Sequence, residues 1–133
     1  MDIFKTFATD EKLEIEGRWV EFDGETSFKI ARAYNKNFSR LFQKEYKLNK
    51  ALLDSKAPAA EKKLEEVFVE CMAKAVLIDW KGPVSMKGED LGKYSVENAI
   101  KILKVKEFRE WVEEQAKDMA GYKAYQDSED EKN

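Results

Sequence analysis

The stretch Arg18-Trp19-Val20-Glu21-Phe22-Asp23-Gly24-Glu25-Thr26-Ser27-Phe28-Lys29-Ile30 decides the fold class. Asp23-Gly24 at its centre is a strong hairpin signal, because both positions tolerate positive φ. The flanking runs are rich in β-formers: Trp19, Val20 and Phe22 before the turn, Thr26, Phe28 and Ile30 after it. Pairing across a two-residue turn sets Trp19 opposite Phe28, with Ile30 beside them on one apolar face. The other face then carries Arg18, Ser27 and Lys29, with Val20 and Phe22 as exceptions. Leu13 and Ile15 extend the first strand on this reading, and Gly17 is a bulge. A lone hairpin is marginal in water, so it must dock on something larger.

Beyond the hairpin the period changes from two to 3.6. Asn35 is placed to cap a helix in which Tyr34, Phe38, Leu41 and Phe42 share a face, fading near Asn49. Asp54 to Ala57 is a connector, and Pro58 suits the first turn of a second helix, where its missing N–H costs nothing. Leu64, Val67, Phe68, Cys71, Met72 and Ala75 form the stripe of that helix through to Ile78. Gly82 and Pro83 end it, with Gly82 as a left-handed C-cap. Val84 to Lys93 reads as a loop. Ser95 caps a third helix with Val96, Ala99, Ile100 and Leu103 on its apolar face. A fourth begins near Lys106 and carries Phe108, Trp111, Val112, Gln115, Met119 and Tyr122. The expected fold is mainly α: an N-terminal β-hairpin packed on a bundle of about four helices, a helix-dominated α+β class. Residues 1–126 make one domain, and residues 127–133 an acidic tail expected to be disordered.

Composition narrows the function. The chain has 133 residues, 43% hydrophobic and 38% charged, with a formal net charge of -3. That balance argues against nucleic acid as a partner, since phosphate neutralisation needs a basic surface. No run approaches the roughly 20 apolar residues of a membrane span. The N-terminus lacks the basic and apolar regions of a secretory signal, and a single cysteine forms no disulfide framework, so a cytoplasmic setting is expected.

The chemistry expected of the chain is binding, without catalysis, cofactor or metal. Histidine is absent, which removes the commonest general base and zinc ligand. Cys71 falls on an apolar stripe and reads as a buried, inert thiol. Glu65/Glu66 and Glu113/Glu114 read as solvated helix faces. Gly82, Gly88 and Gly92 fit no phosphate-binding spacing, and the acidic C-terminus has no EF-hand pattern. Trp19, Trp80 and Trp111 read as core residues. A carboxylate-based hydrolase or transferase would require Glu97 or Asp79 in a deep pocket.

A further pattern runs through Trp80-Lys81-Gly82, a variable loop, and Tyr94-Ser95-Val96-Glu97-Asn98-Ala99. With Phe108, Val112, Ala116 and Asp118 downstream, and Phe28-Lys29-Ile30-Ala31-Arg32, Asn35 and Phe38 upstream, it resembles the tail assembly chaperones of long-tailed (Siphoviridae-type) bacteriophages. The resemblance spans about Gly17 to Tyr122. Two departures are Gly121 standing before Tyr122 and a tail past Tyr125 that matches nothing in the family. The resemblance implies a protein that binds the tape measure protein and keeps it soluble until the tail tube assembles around it. It implies action in the host cytoplasm during infection and absence from the mature virion. It also implies a frameshifted longer product reaching the tail tube protein, and self-association on the client. The aromatics expected to meet the client are Phe4, Phe7, Tyr122 and Tyr125. Trp80, Gly82, Tyr94, Ser95 and Asn98 are expected to serve the fold. The alternative is another phage- or host-encoded protein-binding module, such as an inhibitor or adaptor.

Overall fold

The computed structural model describes residues 1–125. Two short helices come first, α1 (Ile3–Phe7) and α2 (Glu11–Glu16), followed by strands β1 (Arg18–Glu21) and β2 (Ser27–Ile30). Helices α3 (Lys36–Leu48), α4 (Lys50–Leu53) and α5 (Pro58–Ala75) lead into strand β3 (Leu77–Lys81). A small pair, β4 (Ser85–Met86) and β5 (Glu89–Asp90), precedes α6 (Val96–Leu103), α7 (Lys106–Lys117) and a 3-10 turn (Met119–Tyr122). The helix-dominated α+β class is as expected. The hairpin is not alone, however: β3 completes a three-stranded antiparallel sheet in the order β1-β2-β3.

Leu13 and Ile15 belong to α2, not to an extended strand. Asp10 caps that helix by accepting from the Lys12 and Leu13 amides. Gly17 is its C-cap at φ 86°, a left-handed position where a Cβ is costly. The helix competes successfully because a capped turn offers the backbone a local partner at each end.

The hairpin register differs by one residue from the two-residue-turn reading. Val20 faces Phe28 and Trp19 faces Lys29. The Asp23 carboxylate accepts from the Glu25 and Thr26 amides, and the Phe22 amide donates to the Thr26 carbonyl. The loop is therefore Asp23-Gly24-Glu25, three residues long. A one-residue slip exchanges the faces of a strand. Trp19 consequently lies on the outer face and is 38% exposed, correcting its assignment to the core. There it meets the ammonium groups of Lys81, 4.0 Å from the ring centroid, and Lys29, at 5.9 Å. Val20, Phe28 and Trp80 make the inner row instead.

α5 is the axis of the core. Pro58 sits in its first turn, as the sequence indicates. It packs against α3, α4 and α6, burying Val67, Val69, Cys71, Met72, Ala73 and Ala75. Two flanks are covered, so the buried set is wider than one stripe, and Leu64 is exposed. The helix stops at Ala75 because the chain must turn to pair with β2. Asn35 fixes that corner from inside. Its side-chain oxygen accepts from the Phe38 amide to cap α3, and its amide group donates to the carbonyls of Arg32 and Ala75 at 2.8 Å each. α7 then crosses beneath the hairpin, with Phe108 and Trp111 against Phe22 and Phe28.

Candidate functional site

Four of the five fold residues expected from sequence join into one framework between the sheet and α6. Trp80 is buried, and its indole N–H donates to the Gly92 carbonyl at 3.0 Å. The Tyr94 hydroxyl lies 2.7 Å from the Ala73 carbonyl and 2.9 Å from that of Leu77, so one phenolic proton serves two acceptors where α5 becomes β3. Burial, aided by the Asp79 charge, pushes that phenol up to about 12. Ser95 caps α6 by accepting from the Asn98 amide. The Asn98 side chain donates to the Leu91 carbonyl at 2.9 Å, which ties down the end of the β4–β5 excursion. Val84 to Lys93 is thus an ordered ribbon turning at Lys87 and Gly88, both at positive φ.

Gly82 is required for a different reason than expected. Its φ is 85°, but it follows strand β3, not a helix. A Cβ there would overlap the Glu25 carbonyl oxygen of the hairpin loop. It is a site of close backbone approach, which only glycine permits. Asp79, Trp80, Gly82 and Tyr94 also border an open depression of about 630 Å³. Asp79 is half-buried, while Glu97 is exposed in the first turn of α6.

The four aromatics assigned to partner binding divide. Phe4 is 70% exposed, Phe7 52% and Tyr125 41%. Phe4 and Tyr125 meet edge to face with ring centroids 6.4 Å apart. Tyr122 is fully buried, correcting its placement among the client-binding residues. Its hydroxyl donates to the Ile30 carbonyl at 2.8 Å, and the Arg18 guanidinium lies 5.0 Å from its ring centroid. The helix expected to carry Tyr122 ends at Lys117, and the Asp118 carboxylate caps the following turn by accepting from the Ala120 amide. Backbone bonds from Asp10 to Tyr122 and from Ala124 to Ala8 hold the linker between α1 and α2 against the segment after the 3-10 turn. Tyr122 is therefore an anchor for the segment that carries Tyr125, which meets Phe4 of α1; Phe7 is exposed one turn further along the same helix.

A second apolar surface was not identified from sequence. Phe22, Phe28, Pro83, Val84, Met86, Ile102, Val105 and Phe108 line a groove of about 320 Å³, with Asp23, Thr26 and Ser85 among them. Phe22 is 53% exposed, although its ring meets Phe28, Phe108 and Trp111. The signal available in the sequence was Phe22 itself, an apolar residue with no place on the face assigned to it. Two of the groove's polar side chains serve the fold: one Asp23 carboxylate oxygen closes the hairpin loop, and the Thr26 hydroxyl donates to the Pro83 carbonyl at 2.7 Å.

Cys71 is buried, and desolvation, with Glu70 adding to it, pushes its thiol up to about 11. That favours the unreactive thiol form. Among the described residues there is no group of three or more Cys, Asp or Glu that could hold a metal ion, and no helix long and apolar enough to cross a membrane.

The fold and its surfaces define a helix-dominated α+β protein offering two exposed aromatic surfaces. A family model described as YdaY prophage protein matches residues 30–133, and the chain belongs to that family. It is thus phage-derived; the matched stretch begins at the last residue of β2 and takes in everything that follows. No curated protein and no solved structure matches the chain.

Proposed function

We propose that this prophage protein is a tail assembly chaperone that binds a tape measure protein and keeps it soluble. It acts without catalysis, in the host cytoplasm during assembly, and is left out of the finished virion. The observation that carries this reading is the pair of exposed aromatic surfaces. Clusters of large apolar side chains on the outside of a small protein mark sites of contact with another macromolecule. The groove's lining is mostly apolar, and its Thr26 hydroxyl is bonded within the fold, which suits an apolar partner surface better than a small polar ligand. A long, helical client exposes the matching apolar stripe before its tube forms around it, and a helix laid in an apolar groove is an established mode of recognition.

The test is co-expression with the tape measure protein of the same prophage, followed by size-exclusion chromatography of the soluble fraction. The proposal expects the client to be soluble only with its partner and the two to co-elute. An insoluble client and no complex at micromolar concentration would refute it for that pair.

A further inference from the structure

The three-stranded sheet ends differently on its two sides. Along β3, the Trp80 amide donates to the Asp79 carboxylate at 2.8 Å, and the Leu77 carbonyl accepts from the Tyr94 hydroxyl at 2.9 Å. Along β1, no strand pairs on the side away from β2. An antiparallel ladder bonds alternate pairs of residues. The Phe22 amide donates to the Thr26 carbonyl, so the register makes Val20–Phe28 and Arg18–Ile30 the next bonded pairs. The backbone N–H and C=O groups of Trp19 and Glu21 therefore point outward from the sheet. No hydrogen bond among the described residues uses them. Arg18–Glu21 also contains no Lys, Pro or bulge of the kind that blunts an exposed edge.

The outer face beside this edge carries charges of both signs that are not paired with each other. Glu21 is exposed. Neither it nor Lys29 nor Lys81 is in an ion pair among the described residues. The two ammonium groups stand over the Trp19 ring instead. Asp79 is opposite Lys29 in the register, but it turns a carboxylate oxygen to the Trp80 amide.

We infer that two copies of this chain pair antiparallel through β1, about a twofold axis at Val20. Trp19 of each copy then exchanges both backbone bonds with Glu21 of the other. The same register brings each Glu21 carboxylate to the Trp19 ring and the two lysines over it. Neighbouring registers fail. Trp19 opposite Trp19 would set Glu21 against Gly17, whose amide is already bonded to the Leu13 carbonyl. Glu21 opposite Glu21 would set like charges together. Such an interface is isologous and closes at two copies. A strand pair of this length is small beside the roughly 1,200–2,000 Å² of a stable interface. The dimer is therefore reversible, with a Kd between about 10 µM and about 1 mM. It needs no client and is independent of the tape measure reading.

Sedimentation velocity of the full chain alone, from about 10 µM to about 1 mM, tests it. The wild type should move from monomer to dimer mass across that range. Glu21→Lys, and separately Lys29→Glu/Lys81→Glu, should each weaken association by about tenfold or more, because each opposes like charges across the axis. Mixed together, these two variants should form a heterodimer about as strong as the wild-type dimer, since each supplies the charge the other lacks. A loss of folding could not produce that rescue. A wild type that stays monomeric at about 1 mM overturns the inference and leaves the edge to an extended segment of another protein. Association unaltered by Glu21→Lys, or a mixture without rescue, places the contact elsewhere and overturns it as well.

Discussion

Replacing Tyr122 tests whether it is an anchor or a contact for a partner. Tyr122→Phe deletes the hydroxyl that donates to the Ile30 carbonyl at 2.8 Å. A net hydrogen bond contributes about 1 kcal/mol, and a buried acceptor left unpaired costs about 1–3 kcal/mol. Tyr122→Ala also removes a fully buried ring and its contact with Arg18. Loss of a large buried aromatic costs about 3–5 kcal/mol, and a cation–π contact adds roughly 0.5–1 kcal/mol. In a domain of this size each kcal/mol moves Tm by about 4 °C. Thermal melts should therefore place Tyr122→Phe about 4–12 °C below wild type and Tyr122→Ala about 14–24 °C below. The loss should begin where α2 starts, because the Tyr122 carbonyl also accepts from the Asp10 amide. Hydrogen exchange in Glu11–Glu16 should rise first. A Tyr122→Ala protein that melts within about 2 °C of wild type yet loses client binding would refute the anchor reading and restore Tyr122 as a contact residue.

Other perturbations have equally specific outcomes. Gly82→Ala should destabilise by about 2 kcal/mol or more in urea melts, because it combines a strained φ with overlap on the Glu25 carbonyl. Ser95→Ala should cost about 1 kcal/mol through loss of the α6 cap, with Ser95→Asp recovering most of it. Asn98→Ala should cost about 1 kcal/mol and raise exchange across Ser85–Asp90, whose excursion it ties down through Leu91. Alkaline stability should decline in two stages. Cys71 and Tyr94 hold their protons more tightly when folded, up to about 11 and about 12 respectively. Stability is therefore full below about pH 9 and falls by up to about 1.4 kcal/mol per pH unit per group as each unfolded-state pKa is passed. Cys71→Ala should remove the first stage from pH-dependent melts. At the acid end, Glu14 is held below its ordinary value by the Thr9 hydroxyl and by Arg32. Its contribution is present above about pH 4.5 and lost as pH falls through the folded value, so Glu14→Gln should flatten the acid slope.

Local chemistry was legible in the sequence where one residue decides the outcome. Pro58 starts α5, Asn35 and Ser95 cap their helices, and Trp80 enters the core, each through contacts its own type dictates. The misread features depend on partners distant in sequence. Ala75-Val76-Leu77-Ile78 is one uninterrupted apolar run, so neither period marks where α5 ends and β3 begins. The hairpin register turns on Asp23, whose carboxylate stabilises a three-residue loop where Asp-Gly alone suggests two. Tyr122 is buried by a contact with Ile30, 92 residues away in sequence, and nothing near it predicts that. Of the candidate surfaces, the Phe4, Phe7 and Tyr125 patch could be read because exposed terminal aromatics stand out among polar neighbours. The groove could not, since it is assembled from the hairpin, the β4–β5 ribbon and the α6–α7 corner.

The central claim is that the exposed aromatic surfaces hold a tape measure protein. Hydrogen exchange of the purified chain, alone and in complex with the tape measure protein of the same prophage, tests it most directly. The account predicts protection on binding at Phe22–Thr26, Ser85–Met86 and the first turn of α7, or at Ile3–Phe7 beside Tyr125, with α3 and α4 unchanged. Protection confined to α3 and α4, or a mixture whose exchange equals that of the separate proteins, would contradict it.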